Sequence, residues 1–220
     1  MALAPLRSRR TGERRTSDPR LSDLTGHSPV GRGSHPAYRR VGFPLALTAT
    51  LYHFKLALSD VDRGVYESLD LRLACHPSES PRYLVTRLLA YALSYEDGIA
   101  FSKGGLSSTD EPPVLIRDAQ GILRAWIDVG NPAAERLHRA SKSATRVAVF
   151  TTAELEAQKQ AARSGAVHRA GAIELWQLEA SFVDALAERV ERNLELELTR
   201  TDGRLYLTLR GELLEGSIER

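Results

Sequence analysis

The sequence predicts a single α/β domain, a mixed sheet flanked by helices. Two observations carry that expectation. Stretches in which apolar residues alternate, as in half-buried strands, are interleaved with stretches in which they recur every three or four positions, as in helices with one buried face. Several strand stretches also come in pairs joined by short turns. Antiparallel hairpins beside helical segments require a sheet of mixed direction with helices covering it. With 220 residues, 42% hydrophobic and 26% charged, the chain can bury one substantial core.

The regular pattern starts at Leu45. Leu47 to Leu58 and Val65 to Ala74 read as two strands joined through Asp60-Val61-Asp62-Arg63-Gly64. His76-Pro77-Ser78-Glu79-Ser80-Pro81 then leads into a helix, with either Ser78 as its cap or Ser80 as cap and Pro81 in the first turn. Leu84, Val85, Leu88, Leu89, Ala92 and Leu93 give that helix one apolar stripe. A Gly104-Gly105 loop separates it from a hairpin, Asp110 to Arg117 and Ile122 to Gly130. Asn131-Pro132 is expected to open the next helix, with Ala133, Leu137, Ala140 and Ala144 inward and Arg136, Arg139 and Ser143 on another face. Arg146 to Phe150 reads as a buried strand, and Thr151 or Thr152 as the cap of a helix ending near Gly165. Ala172 to Leu178 is a strand, Phe182 to Glu191 a helix, and Leu194 to Thr199 with Leu205 to Leu209 a hairpin around the Asp202-Gly203 turn.

Charge is divided unevenly. Residues 1–44 hold nine arginines against Glu13, Asp18 and Asp23, a balance of +6 within a total of +2, so residues 45–220 sum to −4. The domain therefore lacks the strongly basic balance of a tight non-specific nucleic-acid binder. Rich in Arg, Ser, Gly and Pro, residues 1–44 are expected to be a disordered extension. The composition also fits a transit peptide or a basic arm, and a translation start at Val41 or Leu45 would leave the segment untranslated. A single cysteine, Cys75, in a strand-like run reads as a buried, reduced thiol rather than a nucleophile. No apolar run reaches the roughly 18 residues of a membrane span. A cytoplasmic protein with no membrane partner is the expectation, and its oligomeric state is open.

The acids of the central hairpin carry the chemistry. A turn centred on Ala119-Gln120 pairs Arg117 with Ile122 and, by the same count, Glu111 with Asp128. Their Cβ atoms would then lie about 4.5–5.5 Å apart on one face. Facing carboxylates ask for a compensating cation, either Mg²⁺ carrying substrate phosphates or a protein cation. Frayed strand ends with solvated acids are the plain alternative. Arg136 and Arg139 could instead neutralise the pair and make the cluster structural. His76 suits a strand-end cap better than a metal ligand, and Trp126 a core aromatic better than a stacking platform.

Several spaced blocks, in order, resemble the bacterial YaeQ family, and through it the restriction-endonuclease-like fold of the PD-(D/E)XK nucleases. They are His76-Pro77-Ser78-Glu79-Ser80, Arg87-Leu88-Leu89-Ala90, Asp110-Glu111-Pro112, Trp126-Ile127-Asp128-Val129-Gly130-Asn131-Pro132, and Arg136 to Ala140. The resemblance runs from Leu45 to about Leu209. It implies a domain over 45–220 in which Glu79 matches the helix acid and Asp128 the acid of the third motif, with Glu79, Glu111 and Asp128 holding Mg²⁺ and Arg139 stabilising phosphate charge. Two slots depart from that pattern: Pro113 stands where the first strand's carboxylate belongs, and Gly130 where the Lys belongs. Arginine stays protonated and cannot replace that Lys as a base.

The resemblance therefore implies two functions. One is a degenerate nuclease-fold protein that binds nucleic acid or a protein partner, with a link to transcription. The other is a Mg²⁺-dependent nuclease or phosphodiesterase. Phosphate-loop, dinucleotide, zincin and serine-hydrolase signatures are absent from the sequence.

Overall fold

The computed structural model describes residues 49–102, 111–156, 159–160 and 167–220. The expectations for residues 1–44, the Gly104-Gly105 loop and most of the helix ending near Gly165 lie outside these. Ten strands form one sheet: β1 Thr50–Asp60, β2 Val65–Cys75, β3 Ile99–Phe101, β4 Val114–Arg117, β5 Leu123–Val129, β6 Arg146–Thr151, β7 Glu174–Leu178, β8 Asn193–Thr201, β9 Arg204–Leu209 and β10 Glu212–Glu219. Helices α1 Pro81–Leu93, α2 Ala134–Ser143 and α3 Ala180–Arg189 accompany them among the described residues. Leu155, Glu156, Lys159 and Gln160 are also helical. Strand order is β2-β1-β8-β9-β10-β7-β6-β5-β4-β3. The β1–β8, β5–β6 and β6–β7 ladders are parallel and the rest antiparallel. The fold is mixed α/β, as the sequence predicts.

One core cluster draws on α1, α3 and strands from both halves of the sheet, Phe54 and Leu71 at one end and Val114 and Ile127 at the other. The sheet therefore curls, nearly closed, around these two helices. The curl changes the expectation for α1: every residue from Leu84 to Leu93 is buried, not one stripe. Sheet lies on one side of the helix and α3 on the other, so both faces are covered. Helix α2 packs on the outer face, where Leu137 meets Val149 and Leu175, and Ala140 meets Trp126 and Val147.

The caps resolve one alternative and correct another. Ser80 caps α1, its Oγ accepting from Tyr83 N at 3.1 Å, with Pro81 in the first turn. Asn131 does not cap α2. Its Oδ1 accepts from the Thr151 hydroxyl at 3.0 Å, and the helix starts at Ala134 behind Ala133 with no side-chain cap.

Strand β10 was not foreseen, because Leu213-Leu214 and Gly216 break the alternation of its sequence. Gly216 is needed there: a Cβ would lie 2.5 Å from the Phe182 side chain of α3.

Candidate functional site

Strand β5 sends Ala125, Ile127 and Val129 into the main core and turns Trp126 and Asp128 towards α2. Two residues apart on one face, they meet: the Trp126 indole N–H donates to Asp128 Oδ2 at 3.0 Å. From the first turn of α2, Arg136 Nε donates to the same oxygen at 2.7 Å, and its Nη2 to the Glu111 main-chain carbonyl at 2.9 Å. The Arg136 guanidinium stands 5.4 Å from the Trp126 ring centre, within cation–π range. The Asp128 carboxylate is 3% exposed and the Arg136 side chain 23%. One end of this pair is thus sealed and the other open.

The hairpin does not place Glu111 opposite Asp128. Observed partners are Val114↔Ile127, Leu115↔Trp126 and Ile116↔Ala125, so the next step of the ladder sets Pro113 against Asp128. The cause is the turn. Asp118 accepts from Gln120 N and Ile122 N through its carboxylate, and Gly121 takes φ +82°, making a three-residue loop where two residues were counted. An irregularity at Ile116/Arg117 adds the remaining shift. Glu111 therefore enters the site through its carbonyl.

A second pair lies under α1. Arg87 Nη1 donates to Glu79 Oε1 at 3.1 Å, with side chains 1% and 0% exposed, and Nη2 donates to the Ala74 carbonyl. Burial pulls the Arg87 guanidinium below its ordinary pKa against the opposing pull of Glu79. The Cys75 thiol is pushed up by burial and then by Glu79. Between the two pairs stands Tyr83. Burial first, and then the negative charge of Asp128, raises its phenol to about 12, Arg87 and Arg136 opposing and Glu79 adding to the shift. Close by, Arg82 donates to the Thr152 hydroxyl at 2.9 Å and pairs with Asp184 at 3.0 Å, tying α1 to the end of β6 and to α3. Both pairs thus act electrostatically on Tyr83 in the first turn of α1, the Asp128 pair lying at the carboxyl end of β5.

Of the residues expected from sequence, Asp128 and Glu79 border this region, each engaged by an arginine. Arg139 lies one turn along α2 from Arg136 and is exposed. His76 Nδ1 bonds Ser78 Oγ at 2.6 Å and accepts from Ser78 N, a local cap. Gly130, at the lysine slot, has φ +80°, a backbone in which a lysine would be strained.

Sequence reasoning missed Tyr83 and Arg87 as site residues. The available signal was a charged residue, Arg87, inside the apolar stripe and one turn from Tyr83, since a charge on a buried face implies a buried partner. Among the described residues no three His, Cys, Asp or Glu side chains converge as metal ligands. Asp128 Oδ2 instead meets two N–H donors, so this donor set does not fit Mg²⁺ as arranged.

The family model described as "YaeQ protein" matches residues 45–217. The uncharacterized YaeQ proteins of Salmonella typhi and Escherichia coli K12 are each 31% identical over 166 residues, 74% of this chain and 91% of theirs. The crystal structure of YaeQ from Pseudomonas syringae superposes with a TM-score of 0.71 at 29% identity, covering 78% of this chain and 94% of that one. For YaeQ from Xanthomonas axonopodis pv. citri the TM-score is 0.70 at 30% identity, with 78% and 97% covered. No described helix is long and apolar enough to cross a membrane. With its match spanning almost the whole of residues 45–220, the chain belongs to the YaeQ family.

Proposed function

We infer that this protein is a non-hydrolytic member of the PD-(D/E)XK nuclease superfamily that binds nucleic acid at the carboxyl end of β5. The observation that carries the reading is the Arg136–Asp128 contact at 2.7 Å: a guanidinium sits on the carboxylate that a metal-dependent nuclease would offer to Mg²⁺. Glu79 is likewise matched by Arg87. Neutralised acids no longer repel a phosphate backbone, so a strand could approach the exposed Arg139 and the half-open Arg136 without a metal to mask the site. Among the described residues the lysine slot holds Gly130, and the neighbouring arginines do not deprotonate, so neither supplies a base for water.

A second reading, a Mg²⁺-dependent phosphodiesterase, rests on the partial exposure of Arg136. If it swings into solvent, Asp128 is released.

The test is anisotropy of labelled single-stranded and duplex DNA and RNA with the full chain, with and without Mg²⁺, beside calorimetric titration of Mg²⁺ and Mn²⁺. Binding that needs no metal, leaves the strand intact and weakens at least about tenfold in Arg139→Glu is the expected result. Metal binding lost in Asp128→Asn, together with strand cleavage, would replace it with the second reading. No nucleic-acid binding and no metal binding would overturn both and direct the search to protein partners.

A further inference from the structure

Strand β2 presents a free edge. It ends the sheet, and no described strand lies beyond it. Which backbone groups face outward follows from the neighbouring strand. His53 N donates to Arg192 O and Val61 N to Arg200 O, so odd-numbered β1 residues point their amides at β8. Even-numbered β1 residues therefore face β2, and their partners, such as Phe54↔Leu71 and Leu56↔Leu69, are the odd-numbered residues of β2. The amides and carbonyls left pointing outward belong to Tyr66, Ser68, Asp70, Arg72 and Ala74. Their side chains share the exposed outer face of the sheet.

We propose that this edge is a homodimer interface in which β2 pairs antiparallel with β2 of a second copy about a two-fold axis at Leu71. Outward-facing residues can pair only with outward-facing residues, which leaves registers centred on single residues. Centring on Asp70 or on Arg72 sets like charges directly opposite, which is destabilising. Centring on Leu71 places Asp70 opposite Arg72 of the second copy, twice by symmetry, and Ser68 opposite Ala74. The charges are available for it. Asp70 is 65% exposed and held on that face by His53 at 2.7 Å, while Arg72 is exposed and has no ion-pair partner among the described residues. Leu71 of each copy then meets at the axis on the core side, and two ten-stranded sheets become continuous. An isologous contact of this kind closes on itself and does not propagate.

The experiment uses the full chain, with mass measured by light scattering across a concentration series. Wild type is expected to sediment and scatter as two chains. Asp70→Arg and Arg72→Asp each make both facing pairs repulsive and should raise the dimer dissociation constant at least about tenfold. The double variant, Asp70→Arg with Arg72→Asp, restores opposite charges and should dimerise again. An equal mixture of the two single variants should form a heterodimer. Unchanged circular dichroism in the single variants separates loss of pairing from loss of fold. A monomeric wild type, or a dimer indifferent to both single changes, would overturn the proposal; so would failure of the mixture to associate.

Discussion

The two arginine–carboxylate pairs look alike in composition and differ in exposure. Glu79–Arg87 is sealed, with both side chains at 1% or less, whereas Asp128–Arg136 is sealed at the acid and 23% open at the arginine. A fully desolvated pair is bound to its partner by necessity. Either charge left without the other would face the interior with no water to take its place. An arginine with one side in solvent has an alternative: it can rehydrate, or it can turn to an incoming anion. The sealed pair holds α1 against the end of β2 through the Ala74 carbonyl. The half-open pair holds α2 and the Glu111 segment together, yet its arginine stays partly in solvent. On the proposed reading, fold maintenance falls to the sealed pair and recognition to the half-open one, two copies of one chemical motif.

The largest expected effect breaks the sealed pair. Arg87→Met leaves the Glu79 carboxylate buried without its cation and should lower unfolding stability by about 3–5 kcal/mol, measured by urea denaturation. Adding Glu79→Gln removes the stranded charge and should recover part of that loss. No recovery in the double variant would mean that Arg87 acts through its bond to Ala74 and its packing against Phe101, whose ring centre is 5.9 Å from the guanidinium carbon.

How much of this was legible in the sequence depends on whether the information was local. The Asp202-Gly203 turn was legible, because both residues take the positive φ that a tight hairpin demands, 51° and 72°. The cap of α1 was legible down to two serines, Ser78 or Ser80, since a capping Oγ needs only an amide two or three residues on; the structure selects Ser80. The pairing of Glu111 with Asp128 failed because register depends on the exact loop count, and the Asp118 carboxylate recruits one more residue into the loop. Asp128 and Glu79 could be singled out as acids; the guanidinium that each one meets could be read only in part. Arg136 was foreseen as a neutralising cation, but Arg87 lies eight residues from Glu79 across a helix cap, and only the fold shows that the two meet. The β2 edge was hidden for the same reason: the short turn to β1 was legible, but nothing in the pattern of β2 says that no described strand lies on its other side.

The open pair should respond more mildly. Asp128→Asn removes the carboxylate charge but keeps an oxygen that can still accept from Trp126, while Arg136 turns to water. A loss of about 1.5–3 kcal/mol is expected in urea denaturation, the range for a hydrogen bond to a charged group. A loss as large as that in Arg87→Met would show that Arg136 is as captive as Arg87, and exposure would then be a poor guide to which pair can be released.

The smallest effect reads both pairs through one side chain. A tyrosine in the unfolded chain titrates near 10, whereas Tyr83 in the folded protein is held at about 12. Between those values the unfolded chain gives up its proton while the folded chain keeps it. The stability contribution is therefore complete below pH 10, declines as pH rises and levels off beyond about 12. At about 1.4 kcal/mol per pH unit, and discounted because the side chain is only partly buried, the loss attributable to Tyr83 is about 1 kcal/mol. Tyr83→Phe should remove that component from the alkaline unfolding curve. Among the charges, Asp128 raises the phenol more than Glu79 does, so Asp128→Asn should bring its spectrophotometric titration down further than Glu79→Gln. Equal shifts in the two variants would place Tyr83 midway between the pairs. The larger response to Asp128 would instead assign the tyrosine to the half-open side, where its neutral hydroxyl can face the same ligand as Arg136.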